Sequence, residues 1–168
     1  MMGNYTVRVT KDYLVFCAGH FITYDGEHCE RLHRHNYRVA CEVTGSLDKN
    51  RYLFDFIALK NYVKSITDEL DHRMLVPTKS DLIKHTIDDD QVTLLFENRK
   101  WSFPLSDCVL LPIENTTAEL LAKYIADRLI EILNDRNATT IEDVAVEVEE
   151  SFGQSATYRS VSGSSLPF

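Results

Sequence analysis

Three histidines have the spacing expected of a metal site. His33 and His35 are one residue apart, so on a β-strand both imidazoles project from one face, with Cα atoms roughly 6.5–7 Å apart. His20 ends a row of alternating apolar residues and can supply a third ligand if its strand pairs with the second. A catalytic zinc ion takes three protein ligands and keeps one position open. The histidines therefore predict a zinc site, although three unrelated histidines with separate hydrogen-bond partners would also explain the pattern.

The elements that must position these histidines can be predicted from hydrophobic periodicity. Alternation predicts four strands, at about 5–18, 32–44, 141–151 and 156–161. Apolar residues three to four apart predict a helix that begins at the N-cap Asp55 and ends near Leu70. A capping box at 116–119 begins a second helix. This order predicts an α+β fold, a four-stranded antiparallel sheet with two helices on one face.

The stretch between the two helices, about 76–113, is predicted to be an insertion. Within it, residues 91–96 and 101–105 alternate between apolar and polar types on either side of a polar turn, which predicts an added β-hairpin. The segment from 160 to 168 is rich in serine and is predicted to be a loose tail. The whole chain, 1–168, is otherwise expected to be a single domain.

Composition and charge narrow the class of protein. The chain has 168 residues, of which 44% are hydrophobic, and a net charge of −8, which argues against a nucleic-acid partner. It has neither an apolar run long enough for a membrane helix nor an evident signal peptide, so a cytoplasmic protein without a membrane partner is expected. Its four cysteines form no close pair and are predicted to be reduced thiols: Cys17, Cys29, Cys41 and Cys108.

Several short motifs, taken in order, resemble one enzyme family. Together they resemble the 6-pyruvoyltetrahydropterin synthase and 6-carboxytetrahydropterin synthase family over most of the chain, outside the insertion and the tail. The Cys-x-x-x-His-x-His spacing is similar to the 6-carboxytetrahydropterin branch, which serves bacterial queuosine biosynthesis. The motifs are Phe16-Cys-Ala-Gly-His20, Cys29-Glu-Arg-Leu-His33-Arg-His35-Asn-Tyr37, Leu70-Asp-His-Arg-Met-Leu75, Thr117-Ala-Glu119 and Glu150.

The resemblance implies a fold, an assembly and a reaction. It implies a tunnelling fold (T-fold) that assembles as two stacked trimers, with active sites between subunits. It also implies a lyase that converts 7,8-dihydroneopterin triphosphate into 6-carboxytetrahydropterin, acetaldehyde and triphosphate. Elimination of triphosphate to give 6-pyruvoyltetrahydropterin is the alternative reaction. A zinc- and pterin-binding protein without catalysis is the alternative from another class.

The resemblance also implies metal and catalytic roles. The three histidines match the zinc ligands, and Cys29 matches the base that removes a proton from the substrate side chain. A thiol near a dication has a lowered pKa, which suits that role, although a loop thiol without a role is the simpler alternative. Asp71 and His72 match the pair that relays protons. Polar residues at a helix C-terminus would explain this pair equally well.

Two further residues match positions that bind the pterin. Glu150 matches the residue that anchors the ring, and it also ends an inward row of valines where a carboxylate needs a partner. A salt bridge to an arginine is the competing explanation. Thr117 and Glu119 match the Thr-x-Glu of the family, in which Thr117 corresponds to a substrate-binding threonine, but the capping box explains Glu119 equally well.

The chain departs from the family pattern at two places. Arg34 stands between the two paired histidines, where glycine is usual, and should point to the opposite face of the strand from the ligands. The insertion could cover the pocket, alter the choice of substrate or extend an oligomer contact.

Overall fold

A computed structural model describes residues 4–160 of the chain. That range contains eleven strands, two α-helices and a short 3-10 turn at Leu105–Asp107. The elements are β1 (Tyr5–His20), β2 (Thr23–Tyr24), β3 (His28–Cys29), β4 (His33–Gly45), α1 (Phe56–Leu70), β5 (Arg73–Pro77), β6 (Lys84–Asp88), β7 (Gln91–Phe96), β8 (Arg99–Pro104), β9 (Cys108–Leu111), α2 (Ala118–Asp135), β10 (Ile141–Ser151) and β11 (Gln154–Arg159).

The main sheet has six strands in the order β11-β10-β4-β1-β5-β9, so the predicted count of four is wrong. All four predicted strands are present, and they pair with one another antiparallel, β1 with β4, β4 with β10 and β10 with β11. The two extra strands, β5 and β9, add in parallel at one end of the sheet. Both are short, and Met74, Leu75 and Val76 in β5 are buried in succession. A strand buried on both faces lacks the alternation from which a strand is predicted.

Both helices pack against one face of this sheet, as predicted. In α1, Asp55 is the N-cap and accepts a hydrogen bond from the amide of Ile57 at 2.8 Å. The buried stripe of α1 includes Leu59, Val63 and Ile66, each fully buried in the core that the sheet shares with α2. Helix formation here follows from the cap and the apolar stripe together.

The start of α2 differs by one residue from the predicted capping box. The N-cap is Thr117, whose hydroxyl accepts from the amide of Leu120 at 3.4 Å. Thr116 does not cap the helix because its side chain turns inward and is fully buried. Its hydroxyl instead donates to the carbonyl oxygen of Phe21 at 3.3 Å.

The insertion forms a separate three-stranded sheet in the order β6-β7-β8, rather than a hairpin alone. The predicted hairpin is β7 and β8, joined by a turn at Glu97, whose φ is 50°. Strand β6 escaped prediction because most of its side chains are exposed and show no alternation. The sheet closes a second apolar core, which includes Phe21 and Met74 of the main sheet region and Val92, Leu94 and Phe96 of the insertion.

Three further expectations concern membrane helices, the cysteines and the C-terminal tail. Among the described residues, no helix is long and apolar enough to span a membrane. All four cysteines are free thiols. The predicted loose tail lies, beyond Ser160, outside the described residues, as does the predicted end of the last strand at 161.

Candidate metal centre

The pairing of β1 with β4 brings the three histidines together. His20 lies directly opposite His33 in the antiparallel register, and His35 lies opposite Ala18 on the same face. The ring centroids are 4.6 Å apart for His20 and His33, 5.3 Å for His20 and His35, and 4.8 Å for His33 and His35. One imidazole nitrogen from each ring lies within 4.8 Å of the others, which is close enough to hold a metal ion.

Backbone carbonyls orient two of these rings. His20 Nδ1 lies 3.0 Å from the carbonyl oxygen of Thr116, and His33 Nδ1 lies 2.8 Å from that of Arg31. A carbonyl oxygen only accepts, so each Nδ1 must carry the proton and donate it. Each Nε2 is then left with its lone pair. A hydrogen bond of this kind is the usual support behind a metal-binding histidine.

The third ring has a buried nitrogen that needs a partner. His35 Nε2 is inaccessible to solvent and makes no hydrogen bond within residues 4–160. The nearest acceptor, Glu150 Oε1, is 3.4 Å away but is poorly aligned for a hydrogen bond. A buried polar atom left without a partner costs about 1–3 kcal/mol. Three imidazole nitrogens within 4.8 Å of one another are a ligand set that suits a tetrahedral zinc ion with one open position.

Burial keeps the deepest of the three histidines neutral. His20 is 1% exposed, and desolvation lowers its pKa to about 4 despite the opposing effect of the Thr116 carbonyl. Neutral imidazole is the form that binds metal ions. The hydroxyl of Tyr37 lies 3.0 Å from His20 Nε2, and burial raises the pKa of this phenol, with smaller contributions from Glu150 and Glu30. Both carboxylates therefore act on the same pocket.

Cys29 lies at the edge of this site, at the end of β3. Its thiol donates to the carbonyl oxygen of Glu30 at 3.5 Å and is partly buried against the second apolar core. Burial raises the pKa of the thiol, while the guanidinium of Arg99 acts in the opposite direction. Removal of a proton by this group therefore requires a further positive charge nearby, which a bound dication would provide.

Glu30 is a site residue that the sequence analysis missed. Its Oε2 lies 3.8 Å from His33 Nε2, three residues along the chain. The signal was present in the motif that begins at Cys29, where a carboxylate follows the thiol directly. Thr116 was also missed as a support for His20, because it resembled a helix cap and lies 96 residues from the ring it contacts.

Asp71 and His72 form the expected pair, and among residues 4–160 neither side chain makes a hydrogen bond or ion pair with the three histidines. His72 Nδ1 lies 2.9 Å from Asp71 Oδ2. Although burial acts to raise it, hydrogen bonds from the Cys17 amide and from His72 hold the pKa of Asp71 below its ordinary value. The side chain of His72 is 82% exposed, and Asp71 is its one polar partner among residues 4–160.

Glu150 lies beside the metal site in an open cleft. The cleft has a volume of about 350 Å³, within the range of small-molecule sites. Glu150 forms no salt bridge with an arginine or lysine in the described part of the chain; its one ion-pair contact is His35. Arg34 is exposed and lines the same cleft, and the three histidines converge with this arginine between two of them. Thr117 is occupied as the cap of α2.

Comparisons of the sequence and of the fold with known proteins point to the same group of pterin synthases. The chain matches the family described as 6-pyruvoyl tetrahydropterin synthase over residues 8–161. A protein of Methanocaldococcus jannaschii, provisionally named 6-carboxy-5,6,7,8-tetrahydropterin synthase, is 33% identical over 147 residues, which cover 87% of this chain and 90% of that protein. The 6-carboxy-5,6,7,8-tetrahydropterin synthase of Haemophilus influenzae is 28% identical over 127 residues, covering 73% and 81%.

Solved structures also resemble the chain closely. The 6-pyruvoyltetrahydropterin synthase of Plasmodium vivax has a TM-score of 0.87 and 32% identity, and the match covers 94% of this chain and 98% of that one. Solved variants of the Plasmodium vivax protein replace a glutamate that is described as its catalytic residue. The match along almost all of the sequence and the agreement in fold confirm the resemblance, and the chain belongs to the 6-pyruvoyl tetrahydropterin synthase family.

Proposed function

We propose that the chain is a zinc-dependent lyase that converts 7,8-dihydroneopterin triphosphate and water into 6-carboxy-5,6,7,8-tetrahydropterin, acetaldehyde and triphosphate. The observation that carries the proposal is the convergence of three imidazoles, two of them oriented by carbonyls and the third with an orphaned buried nitrogen. The names of the relatives from Methanocaldococcus jannaschii and Haemophilus influenzae support the carboxy product.

His20, His33 and His35 are the proposed zinc ligands. The bound ion would act as a Lewis acid toward the oxygens of the substrate side chain. The remaining steps belong to residues of the chain itself.

Glu150 is proposed to hold the pterin ring. A pterin presents its 2-amino group and N3–H as two parallel donors, which match the two oxygens of a carboxylate. The position of Glu150 beside His35 would place the ring next to the metal, with the side chain of the substrate over the open coordination position. Thr117 is proposed as a further substrate contact. Its hydroxyl oxygen accepts from the amide of Leu120, and its O–H can still donate to a substrate.

The thiol of Cys29 is the proposed base, and the carboxylate of Glu30 is a second group that is able to share that role. Both precede the ligand His33 on the same loop, and Glu30 Oε2 already lies 3.8 Å from that ring. The catalytic glutamate of the Plasmodium vivax enzyme makes a carboxylate base chemically reasonable in a fold of this kind. Cys29→Ser, Glu30→Gln and the double variant separate the two contributions.

Assembly is proposed to complete the site. Asp71 and His72 make no contact with the three histidines within residues 4–160, and His72 is 82% exposed, so we propose that the pair serves the site of a neighbouring subunit. Within the described chain, β11 and β9 are the unpaired edges of a six-stranded sheet, and open edges favour pairing with another copy. We propose a homo-oligomer of two stacked trimers. Four free thiols fit the reducing cytoplasm as its compartment.

The second candidate reaction is elimination of triphosphate to give 6-pyruvoyltetrahydropterin. Similarity to the Plasmodium vivax 6-pyruvoyltetrahydropterin synthase favours this reaction. The chain is more similar to that protein than to the Haemophilus influenzae relative, both in sequence identity and in the share of the chain that is covered. The two reactions share a substrate and differ in whether carbon is lost from the side chain.

Analysis of the products separates the two candidates. Purified protein, with and without a chelator, is incubated with 7,8-dihydroneopterin triphosphate, and the products are resolved by liquid chromatography and mass spectrometry. We expect acetaldehyde and 6-carboxytetrahydropterin, both lost with the chelator and restored by zinc. A pterin that keeps all three side-chain carbons would establish the second candidate instead.

A pterin-binding protein without catalysis is the outcome that would reject both reactions. It would retain pterin and zinc but release neither acetaldehyde nor triphosphate. In that case Cys29→Ala would behave like the parent chain, because a binding protein has no use for the thiol.

A further inference from the structure

The loop that carries Cys29 is held by few contacts of its own. Residues 21–32 leave the main sheet, and β2 and β3 pair only with each other, through Thr23 with Cys29 and Tyr24 with His28. The turn between them includes Asp25 and Gly26, both at positive φ. A two-stranded hairpin of this length is not stable by itself in water. The position of the thiol therefore depends on contacts from elsewhere in the chain.

Two side chains from distant segments supply those contacts, one at each strand of the hairpin. Asn115, which precedes α2, exchanges two hydrogen bonds with the backbone of Thr23, at 2.8 and 3.3 Å. Arg99, at the start of β8, donates from Nη1 to the carbonyl oxygen of Cys29 and from Nη2 to that of Glu30, both at 2.8 Å. The thiol of Cys29 shares the second carbonyl.

The guanidinium of Arg99 is itself held in place by an aromatic ring. Arg99 Cζ lies 4.6 Å from the centre of the Trp101 ring, and Trp101 stacks on Phe21 at 4.4 Å. Phe21 is fully buried and follows the ligand His20 directly. A stacked guanidinium keeps its plane, so its two donors remain aimed at the two carbonyls. The insertion is thus connected through Arg99 to the thiol loop, and through Trp101 to Phe21, the residue next to His20.

Building on the proposed function, we infer that Arg99 is a positioning residue, through which the inserted sheet fixes the backbone of Cys29 and Glu30 beside the metal site. The fork of two donors is the important feature. A lysine carries the same charge on one nitrogen but cannot hold two adjacent carbonyls in a fixed geometry. The insertion then acts as a brace for the catalytic loop, rather than as a lid or a substrate filter.

The test compares Arg99→Lys and Arg99→Gln with a matched control, Lys100→Gln, which changes the exposed neighbour on the same strand. Amide hydrogen exchange is measured in the zinc-loaded protein. Because charge-assisted hydrogen bonds are lost, we expect amides in segment 22–31 to exchange about tenfold faster in both Arg99 variants. Amides of β7 should keep the parent rate, which shows that the insertion remains folded. The control should match the parent throughout.

Steady-state kinetics then separates positioning from general stability. Misplacement of a base by about 1 Å can reduce turnover by about 100-fold, so we expect kcat to fall by about 10- to 100-fold with KM within about threefold of the parent. Zinc content should not change. Parent-like exchange and kcat in both Arg99 variants would overturn the inference, as would full recovery of both by lysine. The exchange measurement needs no turnover, so it remains decisive if the proposed reaction proves wrong.

Discussion

His33 is the proposed metal ligand whose removal should disturb the fold least. Its side chain is 37% exposed, and its neighbours supply the remaining ligands. His33→Ala should therefore lower the zinc content from about one ion per chain to nearly none, because two imidazoles bind zinc far more weakly than three. The free energy of unfolding of the metal-free protein should change by less than about 1 kcal/mol.

The measurement is metal analysis after dialysis, combined with urea unfolding in the presence of a chelator. His85→Ala is the control, since His85 lies in β6, outside the cluster. It should retain its zinc. Stoichiometric zinc at the parent affinity in His33→Ala would contradict the assignment of the ligands.

Because His20 is buried, we expect the free energy of unfolding of the metal-free protein to fall in acid. Burial lowers its folded-state pKa from 6.5 to about 4, so the folded protein resists the proton that the unfolded chain accepts. The stabilisation is fully present above about pH 6.5 and is lost as the pH falls toward about 4. The loss amounts to about 3 kcal/mol.

Chemical unfolding at a series of pH values, with a chelator present, measures this loss. His20→Gln should lack that part of the slope between about pH 6.5 and 4, while carboxylates common to both proteins cancel in the comparison. Equal slopes in the two proteins would show that His20 titrates normally when the metal is absent.

The residues that could be predicted from sequence were those fixed by strand geometry. The period of two places His33 and His35 on one face, and the apolar rows place His20 on the same side, so their convergence follows once β1 and β4 pair. Thr116, Glu30 and Arg99 could not be found in this way. Thr116 and Arg99 reach the site from segments 70 or more residues away, which local spacing does not encode.

At the scale of elements, the N-cap of α1 gives a clean test of helix stability. Asp55→Ala removes the acceptor for the amide of Ile57 and should lower the free energy of unfolding by about 1 kcal/mol. Asp68→Ala is the control. It removes an exposed ion pair with Lys64 one turn away and should cost less than about 0.5 kcal/mol. Urea unfolding measures the free energy of unfolding of both variants. Equal losses in Asp55→Ala and Asp68→Ala would show that the N-cap stabilises the protein no more than an exposed ion pair does.

Elements with strong periodicity were predicted well, and the others were not. The bounds of α1 and of β10 agree with the sequence analysis because long apolar stripes define them. The parallel strands β5 and β9 are not predicted because they are only 5 and 4 residues long. β9 lies within the predicted insertion, whereas β5 overlaps only its start. Their place in the sheet is set by the pairing of β5 with β1 and of β9 with β5, which are tertiary contacts.

At the scale of the whole molecule, the exposed His72, which makes no contact with the three histidines within residues 4–160, leads us to expect a site shared between subunits. Cys29→Ala and His72→Ala should each lose most activity alone. Mixed oligomers should recover part of it, because some sites then combine an intact Cys29 with an intact His72 of a neighbour. Activity after the variants are unfolded and refolded together measures this recovery.

The matched control mixes Cys29→Ala with His33→Ala, which alter the same half of the site. That mixture should remain inactive. Absence of recovery in the first mixture, in oligomers shown by light scattering to contain both chains, would place His72 outside the active site.

The most direct test of the central claim is a crystal structure of the zinc-loaded protein with anomalous data collected at the zinc edge. We predict one anomalous peak between β1 and β4, with the Nε2 atoms of His20, His33 and His35 at about 2.0–2.1 Å and one position open toward Glu150. A peak elsewhere, or rings that turn away from a common centre in the presence of zinc, would contradict it.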